Sequence, residues 1–151
     1  MATRSVFIGQ CPLQNWLHVP FDPQNIGSCL DLPYKKCSVH EVYVQGVLEN
    51  IPPEQLIQAI TEWRRVLELG GRLVIIFPDV IKAAFLYKRN VITFEDLQLA
   101  VLGYRSALAM EKIENLLIMR FSNVYETHML KELKSKKLWE TILIAEKTQA
   151  N

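Results

Sequence analysis

Arg72-Leu73-Val74-Ile75-Ile76-Phe77-Pro78-Asp79 is the stretch from which the fold of this 151-residue chain is read. Its apolar residues run from Leu73 to Phe77 without alternation. A strand with one wet face alternates, so a continuous run means that both faces are covered, as at the centre of a sheet with helices on each side. The run is far too short to span a bilayer. Just before it, Gly70-Gly71 supply the left-handed conformation that ends a helix and turns the chain. The helix they would end starts near Pro53, since Pro is tolerated in a first turn and Glu54 complements the helix dipole. Leu56, Ile57, Ile60, Trp63 and Leu67 recur at helical spacing, while Gln58, Glu62, Arg64 and Arg65 fall largely elsewhere. His40 to Gly46, rich in β-branched and aromatic residues, reads as the preceding strand. Strand, helix and strand make a right-handed βαβ unit.

Working outward, Ser5 to Ile8 reads as a short strand before Gly9, and Trp16 to Val19 as another. Only Gly9 to Gln14 separate them, too few for a helical crossover. The N-terminal half of the sheet is therefore expected to be abbreviated, irregular or partly antiparallel. Downstream, Asp79 can cap a helix over Val80 to Lys88, and Thr93 with Asp96 can cap one from Phe94 to about Leu102. Helices over about Ala107 to Met119 and His128 to Lys136 follow, and Trp139 to Ala145 reads as a last strand. The expectation is an α/β fold, three-layer and Rossmann-like, with a mainly parallel central sheet flanked by helices and an abbreviated N-terminal half.

Composition narrows the functions. Lys and Arg number 17 against 16 Asp and Glu, half the residues are apolar and 22% are charged, as in an ordinary globular domain. Residues 1–151 read as one domain, with no repeat or linker to divide them. A net charge of +1 gives no long-range field for nucleic acid. The N-terminus lacks the apolar stretch of a signal peptide, so a soluble, cytoplasmic protein without membrane contact is expected. Cys11, Cys29 and Cys37 form no Cys-x-x-Cys pair and have no His at ligand spacing, which predicts reduced thiols and no metal site.

In open α/β sheets ligands sit beyond the carboxyl ends of the strands. That rule nominates Gly9 to Pro12, Pro20 to Asp22, Ser28 to Asp31, Gln45 with Gly46, and Pro78 with Asp79. His40 and His128 can serve as bases because histidine titrates near neutrality, although a structural role is the simpler reading for both. Trp63 and Trp139 fall in apolar patterns and read as core. Glu49-Asn50 reads first as a helix cap and second as part of the cleft.

The order Asp31-Leu32-Pro33-Tyr34, Cys37-Ser38-Val39-His40-Glu41-Val42-Tyr43 and Gly46-Val47-Leu48-Glu49-Asn50 resembles the middle of class I S-adenosylmethionine-dependent methyltransferases. Glu62-Trp63-Arg64-Arg65-Val66-Leu67-Glu68-Leu69-Gly70-Gly71-Arg72-Leu73-Val74-Ile75 is similar to that family's helix and strand, and Pro78-Asp79 fits a subgroup. Toward the N-terminus the chain departs from the family. Only Gly9 remains where the family has Gly-x-Gly, Pro20 stands where an acid binds the ribose, and Ser28 stands where an Asp lies near the adenine.

The resemblance implies S-adenosylmethionine as cofactor, held by Gly9, Gln10, Cys11, Asp22, Ser28, Cys29, Gln45 and Gly46. It implies methyl transfer to an acceptor that the sequence does not identify. Methyl transfer needs alignment and exclusion of water more than a catalytic triad. The alternative is a catalytically inactive methyltransferase-like fold acting as an interaction or regulatory module. In that case an apolar patch on the Phe94 to Met119 helices would mediate self-association or partner binding.

Overall fold

The computed structural model describes residues 4–10, 15–128, 130 and 137–149. Six strands form one sheet: β1 (Ser5–Gly9), β2 (Leu17–Pro20), β3 (Val39–Gln45), β4 (Leu67–Pro78), β5 (Asn123–Thr127) and β6 (Glu140–Glu146), in the order β2-β1-β3-β4-β6-β5. The first four pair in parallel, and β6 enters antiparallel between β4 and β5. The helices are α1 (Gly27–Leu30), α2 (Leu56–Val66), α3 (Val80–Lys88), α4 (Phe94–Leu102) and α5 (Met110–Ile118). The expected α/β architecture with a mainly parallel sheet is what the chain adopts.

The continuous apolar run divides between the two faces as a central strand requires. Leu73, Ile75 and Phe77 join one cluster with Val6, Ile8, Val42 and Val44, sealed by α2 through Leu56, Ile60 and Trp63 and by α5 through Ile113 and Leu117. Val74 and Ile76 belong to the opposite cluster, with Phe7, Tyr43, Ile142 and Ile144, against which Trp16 and Leu130 pack. Trp63 is wholly buried and its Nε1 donates to the Cys29 carbonyl at 2.9 Å, tying α1 to α2. The pair α3 and α4 packs through Ala83, Ala100 and Trp139 beside the carboxyl end of β4.

Several local expectations hold. Asp79 caps α3 by accepting from the Ile81 and Lys82 amides, and Thr93 with Asp96 forms a reciprocal capping box on α4. Others are corrected. α2 stops at Val66, and Gly70-Gly71 are not its terminator but part of an irregularity inside β4, between the pairs Val39↔Leu67 and Glu41↔Arg72. Gly70 has φ +81°, and a Cβ on Gly71 would sit 2.7 Å from the His40 carbonyl oxygen, so this pair of glycines serves strand geometry. The helix placed over Ala107 to Met119 begins only at Met110. Leu108 bridges Asp79 and accepts from the Val80 amide, which holds residues 107–109 extended. β5 was not anticipated, because an edge strand with only Val124 and Thr127 half-buried carries no apolar period. The helix expected over His128 to Lys136 falls largely outside the described residues.

At the N-terminal edge β1 and β2 lie parallel although seven residues join them, so the abbreviation removes a crossover helix without reversing the strand. No helix among the described residues is long and apolar enough to cross a membrane.

Candidate functional site

From β1 the chain moves outward to β2, then returns past β1 to lay down β3. The direction of strand addition reverses between β1 and β3, and a crevice at the carboxyl ends of such a pair is where ligands bind in open α/β sheets. Gly9 ends β1 and Gln45 ends β3, so this switch point lies between two of the residues nominated by the sequence.

The two glycines flanking it differ. A Cβ on Gly9 would meet the Phe7 ring at 2.7 Å and the Gln45 carbonyl oxygen at 2.9 Å, so the chain itself occupies the space that a side chain would need. Gly46 has φ +70° and a Cβ there would meet nothing within 4 Å. Gly46 therefore presents bare backbone to open space, in a conformation that glycine reaches without strain. Asn50 Nδ2 donates to its carbonyl at 3.2 Å and holds the turn.

The other nominated residues separate. Gln10 is exposed just beyond β1. Asp22 is exposed, and its Oδ1 accepts from the Gln24 amide at 2.9 Å within a tight turn. Ser28 Oγ donates to the Pro20 carbonyl at 3.1 Å, joining α1 to the end of β2. Cys29 is different: it is wholly buried, Sγ donates to the Ile26 carbonyl, and burial pushes its thiol up to about 11. Its side chain is core and is not presented to a ligand. Cys11 lies outside the described residues. Gly9, Asp22, Ser28, Gln45 and Gly46 thus share the carboxyl edge of β2-β1-β3.

Phe7 and His18 stack at 5.9 Å, and Trp16 meets Tyr43 edge-on at 5.7 Å, an aromatic layer across β2, β1 and β3. The His18 ring nitrogen Nε2 bonds the Gly9 carbonyl at 2.9 Å, which also accepts from the Phe21 amide. His18 thus fixes the end of β1. His40 pairs with Glu68 at 2.8 Å on the irregularity in β4, at the opposite end of the sheet from the switch point, and its role is structural.

Glu49 is the functional candidate that the sequence left in second place. It lies in the 3-10 turn Leu48–Asn50 that follows β3, is 3% exposed, and its Oε2 has no hydrogen-bond partner. Burial pushes its carboxyl up to about 7, with the Glu140 charge adding to the effect and Lys137 opposing it. Tyr104 is raised too, by burial first and then by Glu49 and Glu140. The Glu49 backbone carbonyl accepts from the Ser106 amide at 2.9 Å, and Ser106 Oγ donates to the Ile51 carbonyl at 2.6 Å, so the loop after α4 is clamped against this turn. An acid between Leu48 and Ile51, both fully buried, was the sequence signal for an acid under a desolvating cover. Asp79 is by contrast fully used, as cap of α3 and as acceptor from Thr141 Oγ1. Among the described residues no three His, Cys, Asp or Glu side chains converge as a metal site.

The same arrangement recurs in solved structures. A methyltransferase dependent on S-adenosylmethionine from Thermotoga maritima superposes with a TM-score of 0.65 at 18% identity, over 97% of this chain and 83% of that one. The fold is that of the class I S-adenosylmethionine-dependent methyltransferases. A second such enzyme, from Archaeoglobus fulgidus, gives a TM-score of 0.62 at 11% identity over 97% of this chain and 87% of its own. One from Methanococcus maripaludis gives 0.56 at 14% identity over 99% and 79%. No protein-family model matches the chain, and no curated protein matches it by sequence. These superpositions show the methyltransferase fold.

Proposed function

We propose that this methyltransferase-like domain binds S-adenosylmethionine at the switch point between β1 and β3 and transfers its methyl group to a small acceptor. The observation that carries the reading is Gly46, with positive φ and open space where a side chain would project, at the carboxyl end of the strand beside the reversal. The residues fit such a group in part. Gly46 allows close approach, and Gln45 and Asp22 offer polar contacts on the same edge. Pro20, in place of the acid that the family resemblance anticipates, contributes none.

The bound cofactor supplies an electrophilic methyl on a sulfonium centre. The chain's share is to align the acceptor, exclude water and receive a proton. Glu49, three residues beyond Gly46 and partly ionised near neutrality, is the group suited to take the proton from a hydroxyl or amine acceptor.

Thermal-shift and calorimetric titration with S-adenosylmethionine and S-adenosylhomocysteine test this. Ligand at a hundred times its Kd stabilises the native state by about 2.7 kcal/mol, or roughly 5–10 °C for a chain of this size. Gly46→Ala meets no neighbour but places a side chain at a left-handed φ of +70°, which costs about 1–2 kcal/mol; circular dichroism checks that the variant is folded, and loss of most of the shift is then expected. A folded wild-type protein with no shift at millimolar ligand would overturn the reading and leave the fold as an interaction module.

A further inference from the structure

We infer a second ligand site, for a small organic phosphate, in a cavity at the opposite edge of the sheet. The cavity has a volume of about 810 Å³ and lies between the C-terminal ends of α2 and α5, close to the start of β4 and the residues after β6. Lys36, Arg64, Arg65, Arg120 and Lys147 line it, and Glu62 is the one carboxylate among its described lining residues. Glu62 is already committed, since both its oxygens accept from Arg65 at 2.6 and 2.7 Å. In a chain with a net charge of +1, five basic side chains and one carboxylate thus meet among the described lining residues of one cavity.

A single cation at a helix C-terminus is favourable by itself. That does not account for cations converging from four separate segments: the turn before β3, the last turn of α2, the residue after α5's cap and the residue after β6. Main-chain carbonyls orient them. Arg64 Nε donates to the Arg120 carbonyl at 2.6 Å and Nη2 to the Gln149 carbonyl at 3.0 Å, while Arg120 Nη1 donates to the Leu116 carbonyl at 3.3 Å. Buried Lys147 spends its donors on the Arg64 and Leu67 carbonyls and on Cys37 Sγ, and burial holds its ammonium below the ordinary lysine range. Carbonyl dipoles fix the directions of these groups in advance, which lowers the ordering cost of binding. The concave wall concentrates their field, and the volume suits a small molecule. A dianionic phosphate group matches the charge, and the guanidinium of Arg120 with the Lys36 ammonium supplies its nearest free donors.

Calorimetric titration of the whole chain with inorganic pyrophosphate at about 50 mM salt is the test. The expected result is saturable binding that weakens as salt rises, is at least tenfold weaker in Lys36→Gln/Arg120→Gln, and is unchanged in Gly46→Ala. Should the double variant unfold, Lys36→Gln alone, at an exposed residue, is expected to weaken binding several-fold. Absence of saturable binding, equal affinity in the Lys36 and Arg120 variants, or loss of binding in Gly46→Ala would each overturn the inference. The last outcome would move the phosphate to the carboxyl edge.

Discussion

Replacing Glu49 by Gln tests the electrostatics of the candidate site through stability alone. The wild-type carboxyl moves from 4.5 in the unfolded chain to about 7 in the fold because burial disfavours its charged form. Between these values the native state holds a proton that the unfolded state has released, so stability falls as pH rises through the window and levels off above it. The ionised carboxylate then costs the folded state about 3 kcal/mol. Gln has the same shape and no charge. The variant and the wild type are expected to be equally stable near pH 4, and the variant to become more stable by about 3 kcal/mol at pH 8, or roughly 6–12 °C in Tm. Urea unfolding of both proteins by circular dichroism from pH 4 to 8 measures the difference, in which the remaining carboxylates cancel. A difference independent of pH, or a variant less stable than wild type at pH 8, would mean that ionised Glu49 has a partner in the fold and would refute the reasoning. Under the proposed function, the same substitution slows methyl transfer at neutral pH and leaves S-adenosylhomocysteine binding intact.

Two further substitutions probe the frame. Gly9→Ala places a Cβ within 3 Å of the Phe7 ring and of the Gln45 backbone, and a loss of about 1–3 kcal/mol in chemical unfolding is expected; unchanged stability would show that β1 can shift. Thr93→Ala removes the capping box on α4, with an expected loss of about 1 kcal/mol and no change at the carboxyl edge.

Gly9 also shows why one intuitive test misleads. Sequence reasoning assigns it to cofactor contact, so a bulky substitution there looks like a probe of binding. In the fold the same substitution strikes Phe7 and Gln45, and lost binding would report lost structure. At Gly46 a substitution meets no neighbour, so its cost to the fold is confined to the strain of a left-handed alanine, which the unfolding curve of the variant measures directly.

The unit β3-α2-β4 was legible because its signals are local: a β-branched run, an apolar stripe at helical spacing, and a central strand buried on both faces. The caps Asp79 and Thr93 were legible for the same reason, since a cap and the amides it satisfies lie within three residues. Tertiary structure decided what depends on partners distant in sequence. The parallel course of β1 and β2 is set by pairing across the sheet and cannot be inferred from the short segment between them. The length of β4 follows from Leu67 reaching Val39, which turns Gly70-Gly71 from a helix end into a strand irregularity. Cys29 left the candidate site because Trp63, thirty-four residues away, packs over it. Glu49 gained its shifted carboxyl, and the basic cavity its converging side chains, only when separate segments came together. Burial and electrostatic potential are sums over neighbours in space, and neighbours along the chain supply only part of each sum.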